Sequence, residues 1–598
     1  MNHAFEGRML RVVFLIAFAV PAARAQVSTV ELYGLVRDPS ANGVPGTQIR
    51  VQNLVTGLTR TVLTREDGSY NFLGLGPGRY SVYVEASGFR PALTKEITLN
   101  VGQKGELSFR LEVSPIMEAI EVLSKTQMLE ARRTSVSTTI VERLIKSLPS
   151  HSRDALSFTL LDSAATRENQ ASLPPIPATG FNLDGQQGRT IMVTIDGVDA
   201  IDNTINGARI TIPQDAVQEF EVLKSGYGAE HGRSSSAVIN VVSKQGGNQL
   251  EGDVFGLLRS RRVSATNAFA GEPNPGDTNT QAGFTLGGPL RRSRTFFFIG
   301  FDTTQENSTG FSTIGRDGFG LVEIANPYGA GSLLLTREQA EFTRSAPATL
   351  SIPYSILADR ASRVARDGNS PGGPRSFGLI PNPLPASFKG LKGETGNYKT
   401  TYDSYVHSSR IDHLFSGNHG LFVRFGLNSS NAYGRPSNSQ VQTDTQNAFS
   451  RTNNLFISDL AVTAQISSSI GSTWLNEARF QFGRRGLGLR ANSSNVAVEI
   501  PGVASIGADP FAPADRIEKR WQVSNNLSHL RASHTYKAGI DFNYIPAVAS
   551  FPLNQSGLYA FPTTLSVDFP FISSVLGSQL ALAPHDRALQ CVPNGPKT

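Results

Sequence analysis

This chain of 598 residues has little cysteine, little charge and no long apolar run. Cys591 is its one cysteine, so no intrachain disulfide can form and no Cys-based zinc site can assemble. That excludes a small scaffold stapled by disulfides. Charged residues make up 17% of the chain, against about 25% in an average protein. Low charge argues against disorder, and the lack of apolar stretches of ~20 residues argues against a bundle of membrane-spanning helices. The net charge is +6, and the basic residues lie scattered, with no basic patch interleaved with aromatics that would read nucleic acid. No GxxxxGK or HExxH occurs, and the sequence is read as offering no catalytic residue, no cofactor and no metal ligand set. The expectation is a protein that is not an enzyme.

Turn-formers are abundant, with 57 Gly and 33 Pro, which suits a mainly β protein. The N-terminus joins Arg8 and Arg11 to the apolar run VVFLIAFAV, a proline and Ala-Arg-Ala at 23–25. A basic flank, a short apolar core and a small-x-small ending predict a signal peptide over 1–25 and export. Residues 26–113 alternate in short runs, such as QIRVQNLV and RYSVYVEA, broken by REDGSY and GLGPGR. Asp67-Gly68 and Pro77-Gly78 supply turns, and the spacing predicts a β-sandwich. Residues 114–125, SPIMEAIEVLSK, form a linker of alternating acidic and apolar residues.

Residues 126–246 read as a small α+β domain. Ile140, Leu144 and Leu148 lie four apart in TTIVERLIKSLP, predicting a helix. Ser150 or Ser152 is placed to cap a second helix, RDALSFTLL. TIMVTIDGVDAIDN reads as a strand ending in an Asp196-Gly197 turn. Asp196, Asp199 and Asp202 invite a cation, yet their spacing fits no standard loop, and turn and surface chemistry is the better reading.

From 247 to 598 the period becomes two. In LFVRFGL, Leu421, Val423, Phe425 and Leu427 share a face; in YKAGIDFNY, Tyr536, Ala538, Ile540, Phe542 and Tyr544 do. In WLNEARFQF, Trp474, Ala478, Phe480 and Phe482 oppose Leu475, Glu477, Arg479 and Gln481. Short turns at one end and long polar connections at the other, notably Thr303 to Tyr402, match an antiparallel β-barrel in an outer membrane. A large soluble β-protein alternates too, and is the competing reading.

Two resemblances sharpen this. Gly34, Val36 and Asp38, Val44-Pro45-Gly46, Thr64, Asp67, Gly68, Tyr70 and Phe72, then Leu75, Pro77, Gly78 and Tyr80, resemble a carboxypeptidase-regulatory-like domain. The stretch VQEFEVLKSGYGAEHGRSSSAVINVVSKQGGNQLEGDVF resembles the end of the plug of TonB-dependent outer-membrane transporters of the Oar-like group. The match is carried by Glu219, Val222, Ala229, Glu230, Gly232, Arg233, Val238, Asn240, Lys244 and Gly252, with Asp196 and Gly197 in the earlier TIDGVD. The resemblance implies a plug folded inside a barrel, with small residues near 247 as the hand-over between them. It also implies a short segment that adds as a strand to the energy-coupling protein TonB. Glu118, Ala119, Ile120, Glu121 and Val122 are the candidates. The implied function is TonB-dependent uptake of an unknown extracellular ligand, with outer-membrane lipid around the barrel; the alternative is a surface binding or adhesion protein without transport.

The pattern yields about nine wall strands between 247 and 547, whereas plugged transporters have about 22. Open edges facing hydrocarbon leave backbone groups unpaired at several kcal/mol apiece. The expectation is therefore an incomplete barrel, the N-terminal part of a longer transporter, with a second chain completing the wall as the other possibility.

Overall fold

The computed structural model describes residues 30–113, 120–121, 130, 135–148, 153–167, 181–204, 207–260, 277–312, 321–325, 332–336, 394, 396–435, 447–500, 504–531 and 534–560. The expected signal peptide lies outside them.

The N-terminal unit contains β1 (Val30–Arg37), β2 (Gln48–Asn53), β3 (Thr59–Leu63), β4 (Ser69–Leu75), β5 (Gly78–Glu85), β6 (Ala92–Leu99), β7 (Lys104–Glu106), β8 (Phe109–Arg110) and β9 (Ile120–Glu121). One sheet runs β4-β1-β7 with β8 beside β1, the other β3-β2-β5-β6-β9. Alternate residues point between them: Leu32 and Val36, Ile49 and Val51, Phe72, Val82 and Val84 are buried in one core. Gly68 sits at φ 75°, the conformation its turn demands.

The second unit contains β10 (Val136–Val141), helix α1 (Glu142–Ser147), β11 (Ala165–Arg167), β12 (Phe181–Leu183), β13 (Met192–Ile195), β14 (Val198–Asp199), β15 (Val217–Ser225) and β16 (Val238–Ser243). Its main sheet is ordered β10-β15-β16-β13-β14, with β13 and β16 parallel. Two expectations fail here. The helix expected from TTIVERLIKSLP holds only over α1; Val136–Val141 is a strand paired with β15. The β-branched run VSTTIV packs better on a pleated surface than in a helix, and tertiary pairing overrides the spacing of the leucines. The second helix is a 3₁₀ segment, Ala155–Leu161, whose cap is the Asp154 carboxylate accepting from the Leu156 N–H at 3.0 Å, rather than a serine.

The wall begins with β17 (Glu251–Ser260), β18 (Thr278–Arg291) and β19 (Thr295–Ser312). A small hairpin of β20 (Leu321–Ala325) and β21 (Ser332–Thr336) follows. Next come β22 (Gly396–Ser416), β23 (His419–Arg435), β24 (Asn453–Ile470) and β25 (Trp474–Ala491). After β26 (Ala497–Ile500) and β27 (Ala504–Ile506) the wall resumes with β28 (Ala514–Arg531), β29 (His534–Tyr544) and β30 (Ala547–Ser550); β31 (Leu558–Ala560) pairs β26. The sheet is antiparallel in the order β17-β18-β19-β22-β23-β24-β25-β28-β29, with β30 extending the β29 edge along β28. Among the described residues β17 and β29 each pair on one side only. Both expose most of their residues.

The long connection expected from Thr303 to Tyr402 is shorter, because Thr303–Ser312 and Gly396–Tyr402 pair with each other as extensions of β19 and β22. DTTQENSTG is polar on both faces and so carries no alternation to read, yet its backbone continues the ladder.

The wall is apolar outside and polar inside. Val423 and Phe425 point outward, whereas Arg424 between them is 1% exposed. Glu477, Arg479 and Gln481 are buried, as are Glu518, Arg520 and Gln522. The plug fills that interior. The sandwich rests at the end where the turns are short: Leu73 packs with Leu475 and Leu530, and Asn248, at the hand-over from plug to wall, donates to the Thr56 carbonyl at 2.6 Å. At that hand-over a Cβ on Gly246 would collide with the Phe297 carbonyl oxygen, so only glycine lets the chain pass so close to the wall.

Candidate functional site

The plug meets the inner wall through a set of buried ion pairs seeded by one short segment. After β13 the chain must reverse within two residues, because Thr194 pairs with Asp199 and Ile195 with Val198. Asp196 and Gly197 accordingly lie at φ 54° and 75°, a region that aspartate tolerates and glycine favours. This turn aims Asp196 at the wall. Its carboxylate accepts from the Ser243 N–H and hydroxyl at 2.9 Å, faces Arg424 Nε at 2.7 Å and lies 3.6 Å from Arg410.

Arg410 on β22 and Arg424 on β23 are direct cross-strand partners. Like charges placed opposite each other repel. On the wall Asp412 answers Arg410 at 2.7 Å; Asp196, brought by the plug, answers Arg424. The inner wall is electrostatically incomplete here without the plug.

The next two acids repeat the arrangement. Asp199 pairs with Arg520 of β28 and with Arg233 of the plug's own loop, while its N–H donates to Gln522 at 3.0 Å. Asp202 pairs with Arg516 of β28 and, at 3.3 Å, with Arg485 of β25. Arg209 reverses the polarity, a plug cation lying 3.4 Å from Asp459 and 3.3 Å from Glu518 of the wall. Burial pushes the Asp196 and Asp202 carboxyls up, but Arg424 and Arg410 for the first, and Arg485 and Arg516 for the second, outweigh it and hold both below the usual range. Surface chemistry for these aspartates is thus overturned: all three are buried, at 3% exposure or less. Their charge is met by guanidinium groups.

A further contact joins the sandwich to the plug. Glu219 of β15 accepts from the Val101 N–H at 2.7 Å. Burial, with Glu221 and Glu142 adding to it, pushes this carboxyl up to about 8 against the bond from Val101.

The other residues singled out in the sequence are dispersed around this interface. Glu230 pairs with Lys537 of β29 at 2.9 Å. Gly232 has open space where a side chain would stand, and Arg233, at φ 64°, also reaches Asn203. Asn240 is buried in β16 and accepts from the Thr194 hydroxyl at 2.9 Å. Of the linker candidates, Ile120 and Glu121 form β9, parallel to Ala92 and Leu93 of β6; Glu118, Ala119 and Val122 lie outside the described residues. Sequence reasoning missed the wall arginines. The available signal was parity: Arg424, Arg516 and Arg520 occupy the polar phase of strands whose other phase is apolar, and a guanidinium in that phase needs an acid.

Residues 242–582 match the family model of the outer membrane beta barrel domain, more than half of the chain. The chain belongs to the outer membrane beta-barrel family. Residues 31–112 match the carboxypeptidase regulatory-like domain. The TonB-dependent transporter Oar of Myxococcus xanthus is 27% identical over 296 residues, covering 47% of this chain and 27% of the relative. Among solved structures, the outer membrane transporter YddB from Escherichia coli aligns with TM-score 0.44 and 10% identity over 71% of this chain and 50% of that one. The siderophore receptor PirA from Acinetobacter baumannii gives 0.42 and 11% over 70% and 49%. The chain thus spans about a quarter of the length of the curated relative and about half of these structures. These relatives are transporters and receptors, not enzymes.

Proposed function

We propose that this protein takes up a ligand across the bacterial outer membrane in a TonB-dependent manner, as the N-terminal part of a larger transporter. The observation that carries the reading is the buried ion-pair set between Asp196, Asp199, Asp202 and Arg209 of the plug and guanidinium or carboxylate groups of the wall. Such contacts hold a plug in register yet break without covalent chemistry, and each resists loss of one partner by about 3–5 kcal/mol. The outward apolar face of the wall meets outer-membrane lipid, residues 1–25 direct export, and the two open edges are completed by further strands. Residues 118–122, of which Ile120 and Glu121 form β9 at the edge of a sandwich sheet, are the strand offered to the energy-coupling protein. Asp196, Gly197, Glu230, Gly232, Arg233 and Asn240 shape the plug.

A photo-crosslinking residue placed at Ile120 of the full chain in cells tests the reading without knowing the cargo. The expected result is an adduct with the TonB-type coupling protein that disappears when 118–122 is scrambled. No adduct at any of the five positions, with control crosslinks to the sandwich intact, would overturn TonB dependence and leave the surface-binding alternative.

A further inference from the structure

Sandwich, plug and wall together line a partly open chamber of about 200 Å³. Arg60 lines it from the sandwich, Asp196 from the plug, and Arg410, Asp412, Gln465 and Ser469 from the wall. The charges of plug and wall cancel here. Arg410 and Arg424 offset Asp412 and Asp196, at 2.7 Å for Arg410 to Asp412 and 2.7 Å for Arg424 to Asp196.

Arg60 is left over. It is 8% exposed; its Nη1 donates to the Leu73 carbonyl at 2.7 Å, and its guanidinium lies 5.9 Å from the Phe72 ring centre. Its Nε is buried without an acceptor, and no carboxylate among the described residues forms an ion pair with it. Burial is the main influence on this group and pulls it down to about 10, with Tyr80 opposing, so it is a cation at neutral pH. Buried cations are ordinarily paired, because desolvating a lone one costs several kcal/mol. The chamber thus has room for a small molecule and carries one positive charge that plug and wall do not cancel.

We propose that the chamber is a binding site for a small monoanionic carboxylate, held by the Arg60 guanidinium. The planar fork of a guanidinium fits a carboxylate. One net positive charge calls for one negative charge, and Asp196 and Asp412 on the facing side disfavour a dianion. The volume exceeds the ~150 Å³ that accepts benzene in an engineered cavity, so it admits acetate or a molecule a few atoms larger. A free organic acid and the C-terminal end of a short peptide present the same group. The inference goes beyond the proposed uptake and stands whether or not the chain couples to TonB.

The test is calorimetric titration of the full chain, purified in detergent at pH 7 and constant ionic strength, with acetate, N-acetylglycylglycine, phosphate and chloride. Saturable binding of acetate or of the peptide, at least about tenfold tighter than chloride, is expected; which of the two binds tighter identifies the source. Arg60→Met should abolish the binding while leaving the anion-free protein at least as resistant to heat, since the lone charge is gone. Arg60→Lys should retain weaker binding. The proposal is overturned if neither carboxylate binds better than chloride, if phosphate binds tighter than both, or if Arg60→Met binds as the unaltered protein does. The titration of the unaltered chain decides even if the methionine variant fails to fold.

Discussion

The sandwich and the wall are built from the same repeat with opposite polarity. In β5 of the sandwich Tyr80, Val82 and Val84 turn inward and are buried. In β25 of the wall Glu477, Arg479 and Gln481 turn inward, and the aromatic phase that includes Phe480 and Phe482 turns outward. One unit excludes water from a hydrocarbon core; the other surrounds a polar interior and needs an apolar medium outside. Alternation states that a strand has two faces, not which face is the core. Length separates the cases, since β5 spans 8 residues and β25 spans 18.

Substitutions that respect or violate each polarity test this contrast. Asp196→Asn should have the largest effect, about 3–5 kcal/mol, because Arg410 and Arg424 stay buried and opposed with one acid fewer. Denaturant unfolding followed by proteolysis of the plug measures it, and adding Arg424→Met should recover part of the loss. Phe72→Ala in the sandwich core should cost about 3–5 kcal/mol by leaving a cavity, with protease sensitivity confined to residues 30–113 and the wall unaffected. Val423→Arg places a charge on the outward face and should cost about 2–4 kcal/mol if that face lies at mid-depth in lipid. Near-zero cost in a refolding assay would move it out of the membrane.

The smallest effect is pH-dependent and belongs to the contact between the units. Glu219 stays protonated in the folded chain up to about 8, whereas unfolded it ionises near 4.5. Between those values the unfolded state binds fewer protons, so stability falls as pH rises and the loss is complete above about 8. Glu219→Gln should remove that slope and make the chain more stable at pH 8 by on the order of 1–3 kcal/mol. Parallel unfolding curves at pH 5 and pH 8 for the two proteins would show it.

Much of the fold was legible because its signals are local. Asp67-Gly68 marks a turn by backbone chemistry alone, and Val423-Arg424-Phe425 marks a strand by alternation. Val136–Val141 misled because leucines at helical spacing follow a β-branched run, and the partner that decides the matter, β15, lies some eighty residues on. The polar ends of β19 and β22 were invisible because neither face is apolar. Asp196, Asp199 and Asp202 stood out in the sequence, but their role did not. Arg424, Arg485, Arg516 and Arg520 answer them from three strands, a convergence that only packing of the wall against the plug creates. The Leu73, Leu475 and Leu530 contact is likewise a product of docking.

The most direct test of the inside-out wall is a nitroxide scan of Leu421 to Leu427, one residue at a time, in the Cys591→Ser background of the chain reconstituted into lipid vesicles. Collision rates with oxygen, which concentrates in the hydrocarbon, should be high at Leu421, Val423, Phe425 and Leu427 and low at Phe422, Arg424 and Gly426. The opposite phase, or uniform accessibility to a water-soluble relaxer at all seven positions, would contradict the account.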